Sequence, residues 1–351
     1  MIKFIFFPFS ALWSLFMYIR RNFYDKGRRI NYNKPTICVG NLCMGGSGKT
    51  PHIGYLVDLL QKNNIKTAIL SRGYKRKTKG FRFVDALSSS QDVGDEPLLL
   101  YKKYEPISVA VCKNRIEGLN KIFEQQPETD IVLLDDAYQY MPLRPGLSIL
   151  LTDYYHSYMQ DFVVPSGGLR EGQSAAKDAD IIIVTKSPAT VPALEEAMIL
   201  DKIKPLPHQE VYFSHIEFGK LIPITQKAET MSLDNVNSIV AVCGIANPYP
   251  FLDYVNKNFS EKQTLIFPDH HRFTNRDIQK IQAYCNRSMR KNCAIVTTEK
   301  DAMRLLDSEF KNQVEQLPIF YIPIEVKFNY KYKEKFEKRI YHYVNENTGN
   351  S

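Results

Sequence analysis

The run NLCMGGSGKTP, Asn41 to Pro51, concentrates residue types that hold phosphate. Gly45, Gly46 and Gly48 let backbone N–H groups approach phosphate oxygens, with Ser47 set among them. Lys49 reaches the β- and γ-phosphates, and the Thr50 hydroxyl suits Mg²⁺. Pro51 closes the run and is counted with the nucleotide loop. The strict P-loop pattern wants a glycine where this chain has Cys43. In IVLLDDAYQY, Asp135 and Asp136 end an apolar run, where a carboxylate can hold Mg²⁺ in a P-loop enzyme. VGDEP places Asp95 and Glu96 before a helical stretch, with helix capping as the bland alternative. SRGY, ending at Tyr74, opens the basic run Lys75, Arg76, Lys77 and Lys79, and GGLREG carries Arg170 and Glu171 in a flexible loop. FPDHHRF offers Asp269, His270 and His271, but no third ligand at zinc spacing, so a metal is not expected there.

These residues need a frame. PTICVG runs straight into the glycine loop, and HIGYLVDLLQK follows with helical spacing of Ile53, Leu56, Val57 and Leu60. Strand, glycine loop and helix in that order form a phosphate-binding turn. The apolar runs KTAILSRG, ISVAVCK, DIVLLDDAYQ, LSILLTD and DIIIVTKS read as buried parallel strands. The spacing predicts an α/β chain: a doubly wound parallel sheet domain over residues 30–205 and a second, smaller α/β domain over 229–343. Residues 206–228, including the alternating QEVYFSHIEFGKLIPI, are expected to link them as a two-stranded ribbon turning near Gly219 and Lys220, and 344–351 to form a polar tail. Two α/β lobes leave a cleft for two substrates.

The chain has 351 residues and a formal net charge of +8, which favours anionic partners. Its basic residues lack a helix-turn-helix or aromatic-interleaved setting, so nucleic acid is not expected as a partner. Six cysteines without a C-x-x-C pair suggest reduced thiols. Residues 1–29 differ from the rest: Phe4 to Ile19 is apolar apart from two serines, and Arg20, Arg21, Lys26, Arg28 and Arg29 follow. As a helix, that run reaches about 24 Å, short of the ~30 Å hydrocarbon core. Arginines stand where a signal peptide would need its small-residue cleavage site. An uncleaved segment in or on the membrane is expected, its basic flank on anionic headgroups.

VGNLCMGGSGKTP, SRGYKR, GDEP, CKNRIEG, DDAYQY, GGLREG, CGIANP, FPDHHRF and TTEKDAMRL occur in that order along nearly the whole chain. In this series the sequence resembles the tetraacyldisaccharide 4′-kinases, the lipid A 4′-kinases of Gram-negative bacteria, whose loop also lacks the first P-loop glycine. The resemblance implies ATP- and Mg²⁺-dependent phosphorylation of the 4′-hydroxyl of an acylated glucosamine disaccharide 1-phosphate. It also implies two α/β lobes and an N-terminal helix on the cytoplasmic face of the inner membrane; a monomer is expected. Carried over by residue, Lys49 and Thr50 serve the phosphates and Mg²⁺, and Asp136 and Glu171 fall on metal-associated acids, with Asp135 and Gln139 beside them. Asp95 matches the family's proposed general base and His270 its partner, while Arg115, Arg170 and Tyr74 match residues around the phosphates or acceptor. Tyr140 stands where the family often has histidine, and it cannot become a cation. The competing function is a membrane-associated P-loop switch ATPase of the partitioning type, which Met44 disfavours because those proteins carry a lysine there. A protein kinase is excluded by the lack of H-R-D and D-F-G elements.

Overall fold

The computed structural model describes residues 6–232, 236, 238–287, 292–306 and 311–348. The first residues of the apolar run and residues 349–351 of the polar tail lie outside the described residues. Nine strands form the larger sheet: β1 (Thr36–Asn41), β2 (Thr67–Ser71), β3 (Arg82–Phe83), β4 (Ser108–Val111), β5 (Ile131–Asp135), β6 (Leu147–Asp153), β7 (Ile181–Thr185), β8 (Glu210–Phe218) and β14 (Ile324–Phe328). Their order is β14-β8-β7-β6-β1-β5-β2-β4-β3, with the two edge strands antiparallel and the rest parallel. β1, β5 and β7 are buried along their whole length, as expected of strands covered by helices on both faces. β1 lies between β5 and β6, so the chain leaves it at a point where the strand order reverses. Ligands of open α/β sheets bind in such a crevice, beyond the strands' carboxyl ends.

The smaller sheet holds β9 (Ile222–Pro223), β10 (Ser238–Cys243), β11 (Glu261–Ile266), β12 (Cys293–Thr298) and β13 (Ile319–Ile322), in the order β11-β10-β12-β13-β9. The expected ribbon does not form within Gln209–Ile224. β8 pairs in parallel with β7 and antiparallel with β14, whereas β9 joins β13 of the other sheet. Alternation marked the strand correctly but carries no record of its partner.

The carboxyl-terminal helix, Tyr330–Thr348, returns to the larger sheet, and residues 344–348 of the expected tail continue it. Phe336, Ile340, Tyr343 and Val344 are buried in the core that includes Ile37, Leu133 and Tyr212. Phe336 stacks on Phe328 at 4.2 Å between ring centroids. The Tyr343 hydroxyl accepts from Thr36 N at 3.1 Å and donates to Thr36 O at 3.2 Å. Gly146 permits this approach, since a Cβ there would lie 1.9 Å from that hydroxyl. Phe336→Ala should therefore destabilise the larger lobe by about 3–5 kcal/mol in urea titrations. A loss below about 1 kcal/mol would place the helix outside that core.

Candidate active site

β1 ends in the glycine loop, and the helix Lys49–Gln61 begins at Gly48, whose φ of +87° favours glycine. A Cβ built at Gly45 or Gly46 meets nothing within 4 Å, so these backbones face open space. His52 props the turn from below: its Nδ1 donates to Gly48 O at 2.7 Å and its Nε2 accepts from Ser214 Oγ at 3.0 Å. Burial lowers its pKa to about 4, so the ring stays neutral and keeps that tautomer. The Lys49 ammonium donates to Asn41 Oδ1 at 3.2 Å and lies 3.8 Å from Asp136 Oδ1. Thr50 is buried in the first turn, and Pro51 follows it in the same helix.

Cys43 takes an extended bridge to Leu169. Met44 N donates to Gly168 O at 2.6 Å and Arg170 N to Leu42 O at 2.7 Å, so the GGLREG loop is zipped along the entry to the glycine loop. An extended residue in a bridge needs no glycine. Burial raises the Cys43 thiol to about 11, which makes it unreactive at neutral pH.

The zipped loop aims Arg170 at Asp136, with Nη1 2.8 and 3.0 Å from its two oxygens and 3.3 Å from Gln139 Oε1. Gln139 Nε2 donates to Asn41 O at 2.8 Å and Glu171 Oε1 at 3.3 Å, while Glu171 Oε2 accepts from Arg21 at 2.7 Å. Both oxygens of Glu171 are thus engaged, and its side chain is buried. Asp135 accepts from Ser71 Oγ at 3.0 Å. Burial, followed by the charges of Glu96 and Asp136, raises its carboxyl to about 7. Arg115 is buried, donates to Cys112 O, Lys113 O and Asp136 O, and sits 5.8 Å over the Tyr140 ring. Tyr140 in turn donates to Asn114 Oδ1 at 2.6 Å, so the residue that replaces histidine supports Arg115 with its face. Ser47 Oγ, Asp135 Oδ1 and Arg115 Nε are buried without a hydrogen-bond partner among the described residues. Buried polar atoms left this way mark a place built to engage a further polar group.

Asp95 opens the helix Asp95–Lys103 and reaches the smaller lobe. His270 Nδ1 lies 3.1 Å from Asp95 Oδ2, and Arg304 donates to the same oxygen through Nε at 3.1 Å and through Nη2. Arg304 also donates to Gly244 O at 2.8 Å and Asp301 Oδ1 at 2.7 Å. Burial on its own would raise the Asp95 carboxyl, but the His270 hydrogen bond and the Arg304 guanidinium hold it well below the usual carboxylate range. Glu96–Lys300 and Lys103–Glu299 ion pairs flank this contact, with Leu99, Ala302 and Met303 packed between them. A cavity of about 210 Å³ opens beside Asp95 and His270, walled by Tyr74, Lys75, Lys77 and Arg272. The half-exposed Tyr74 ring lies 5.5 Å from the His270 ring.

Two groups of predicted residues emerge: Lys49, Asp135, Asp136, Gln139, Arg115, Arg170 and Glu171 at the glycine loop, and Asp95, His270 and Tyr74 at the cleft. Asn41, Arg21 and Arg304 belong with them but were not singled out by their residue types. Arg304 lay inside the quoted run TTEKDAMRL and Asn41 inside VGNLC, so order in those runs was the available signal. Arg21 stands in the basic flank at residues 20–29, where residue type alone points to lipid headgroups.

A lysine and an arginine converging at a glycine-loop helix, at the carboxyl edge of a parallel sheet, define a phosphate-handling enzyme of the α/β class. Comparison with known proteins narrows the class. The family model described as tetraacyldisaccharide-1-P 4'-kinase matches residues 2–344. A tetraacyldisaccharide 4'-kinase from Flavobacterium johnsoniae is 39% identical over 347 residues, covering 98% of this chain and 97% of the relative. One from Bacteroides thetaiotaomicron is 36% identical over 358 residues, covering 98% and 94%. The solved structure of LpxK from Aquifex aeolicus in complex with ATP shares 27% identity and a TM-score of 0.75, covering 98% of this chain and 100% of that one. The chain belongs to the tetraacyldisaccharide 4′-kinase family, the kinases of lipid A biosynthesis.

The lobe contact yields a test with a definite sign. Asp95→Asn removes one of the two carboxylates that hold the buried Arg304, leaving Asp301 alone, and should cost about 3 kcal/mol at pH 7. Because the folded carboxyl lies below its unfolded value of about 3.9, its contribution is full above that value and is lost only as pH falls through the lower one. Urea titrations should show a gap between wild type and variant that does not shrink from pH 8 to pH 5. A gap that fades over that interval contradicts the assignment.

Proposed function

We propose that the chain transfers the γ-phosphate of ATP to the 4′-hydroxyl of an acylated glucosamine disaccharide 1-phosphate at the cytoplasmic face of the inner membrane. The observation that carries this reading is the convergence of Lys49, Asp136 and Arg170 at the start of one helix, with the Asp95–His270 pair facing the adjoining cleft. The open backbones of Gly45 and Gly46 receive the phosphates, Lys49 and Arg170 supply positive charge to them, and Arg115 supports Asp136 from behind. The buried, unpartnered Asp135 Oδ1 and the Thr50 hydroxyl fit a hard divalent cation, so Thr50 and Asp136, with Asp135 beside them, would hold Mg²⁺. Bound there, Mg²⁺ would neutralise charge on the β- and γ-phosphates. Glu171, held by Arg21 and Gln139, is the further acid of this site and orients Gln139.

The acceptor's sugar enters the cavity beside Asp95, where Tyr74 offers a ring face and Lys75, Lys77 and Arg272 attract its anionic group. Asp95 takes the hydroxyl proton and His270 orients it. A weakly basic carboxylate suffices because the transition state is loose and the proton leaves late. The low basicity of Asp95 favours a second reading as well: Asp95 fixes His270 through Nδ1, and His270 Nε2 takes the proton.

The helix Phe7–Asp25 supports a membrane site. Its outward face carries Phe9, Leu12, Phe16 and Ile19, each more than half exposed. No helix among the described residues is long and apolar enough to cross a membrane, which suits a helix lying in the interface.

Lys49→Ala should lower kcat by about 10²–10³, the scale of one lost electrostatic donor, without altering the melting temperature. Near-wild-type turnover would sink the assignment of the loop. To separate the two proton acceptors, His270→Ala should be assayed with added imidazole. Restored turnover identifies the ring as the acceptor; no rescue assigns it to Asp95.

A further inference from the structure

The helix Phe7–Asp25 has two faces, and only the apolar one is explained by a membrane. Its buried face carries two polar side chains, Ser10 and Arg21, beside the apolar Met17, and both polar groups bond to the segment around Arg170 and Glu171. Ser166 N donates to Ser10 Oγ at 2.9 Å, and Trp13 Nε1 donates to Arg170 O at 3.0 Å. Arg21 donates to Glu171 Oε2 at 2.7 Å and also to Asp178, which Arg29 holds at 2.9 Å. An anchor needs none of this. A buried guanidinium between two carboxylates fixes their positions in a way that a greasy contact cannot.

The contacts continue inward. Glu171 Oε1 accepts from Gln139 Nε2, Gln139 Oε1 accepts from Arg170, and Arg170 holds Asp136 beside Lys49. Each link is a directed hydrogen bond with one geometry, so a displaced helix moves the group at its far end. We propose that Arg21 is a positioning residue for phosphoryl transfer: through Glu171 it sets Gln139, Arg170 and Asp136, so that the membrane-facing helix is also a structural wall of the nucleotide site. The inference rests on the kinase assignment above and deepens it, since the element that meets the lipid acceptor also holds the residues that meet ATP.

The two faces predict separable effects. Full-length Arg21→Gln, Glu171→Gln, the double variant and Arg21→Lys are compared in mixed micelles containing acylated disaccharide 1-phosphate, with flotation on phosphatidylethanolamine–phosphatidylglycerol vesicles measured alongside. Arg21→Gln should lower kcat about 10- to 100-fold, the scale of a small misplacement of reacting groups. The KM for acceptor and the fraction floated should not change, because the apolar face is intact. The double variant should be no slower than the slower single one, since the two residues act as one unit. Arg21→Lys keeps the charge but loses the fork, and should give an intermediate kcat with an unchanged melting temperature. It carries the test if Arg21→Gln does not fold. Wild-type kcat in either Arg21 variant, multiplicative losses, or flotation lost in step with kcat would each overturn the proposal. Lys49→Ala assayed in parallel separates the two claims. If it is inactive while Arg21→Gln is fully active, only the positioning role fails; if both are fully active, the kinase site fails with it.

Discussion

The arrangement depends on one buried carboxylate. Asp95 sits at the start of a helix in the larger lobe, yet its Oδ2 is held by Arg304 and His270 of the smaller one. A buried charge without partners would be neutralised or expelled. The contact therefore ties the lobes at the point where the helices Asp95–Lys103 and Glu299–Leu305 meet. The flanking Glu96–Lys300 and Lys103–Glu299 pairs set the register of those helices. The cleft has a defined wall for that reason, and the cavity beside His270 owes its position to it.

A second tie runs in the opposite direction from the glycine loop. Leu42 to Met44 pair with Gly168 to Arg170, and the helix Phe7–Asp25 closes over that loop. The position that lacks a P-loop glycine is where the flanking segment becomes a strand partner. Cys43 is thereby accounted for by the backbone, which is extended there and has no need of a glycine's freedom. The helix, the loop and the sheet edge together make one continuous wall around Lys49, from the apolar surface to Asp136.

Much of this was legible in the sequence. The apolar runs marked the buried parallel strands, because strands covered on both faces carry no alternation to obscure them. Their carboxyl ends then grouped Lys49, Asp135 and Arg115 on one edge, as the strand order requires. Partners across long separations were not legible. Arg304 looks like a cation placed to complement its helix's carboxyl end, and nothing local points to Asp95, 209 residues away. Arg21 belongs by composition to a basic flank, but its helix turns it inward to Glu171, so its role depends on docking and not on residue type. The strand at Glu210–Phe218 alternates clearly, yet its antiparallel partner is β14 rather than β9, the next strand in sequence. The final helix, polar over most of its surface, gave little sign that Phe336 and Tyr343 would close the first core.

The most direct measurement is transfer of label from [γ-³²P]ATP to an acylated glucosamine disaccharide 1-phosphate, followed by separation of the lipid product. The account predicts that the label appears on the disaccharide at the 4′-position, and that ATP is consumed only as acceptor is phosphorylated. ATP turnover at the same rate without acceptor, and no labelled lipid, would contradict it and favour a nucleotide-driven switch.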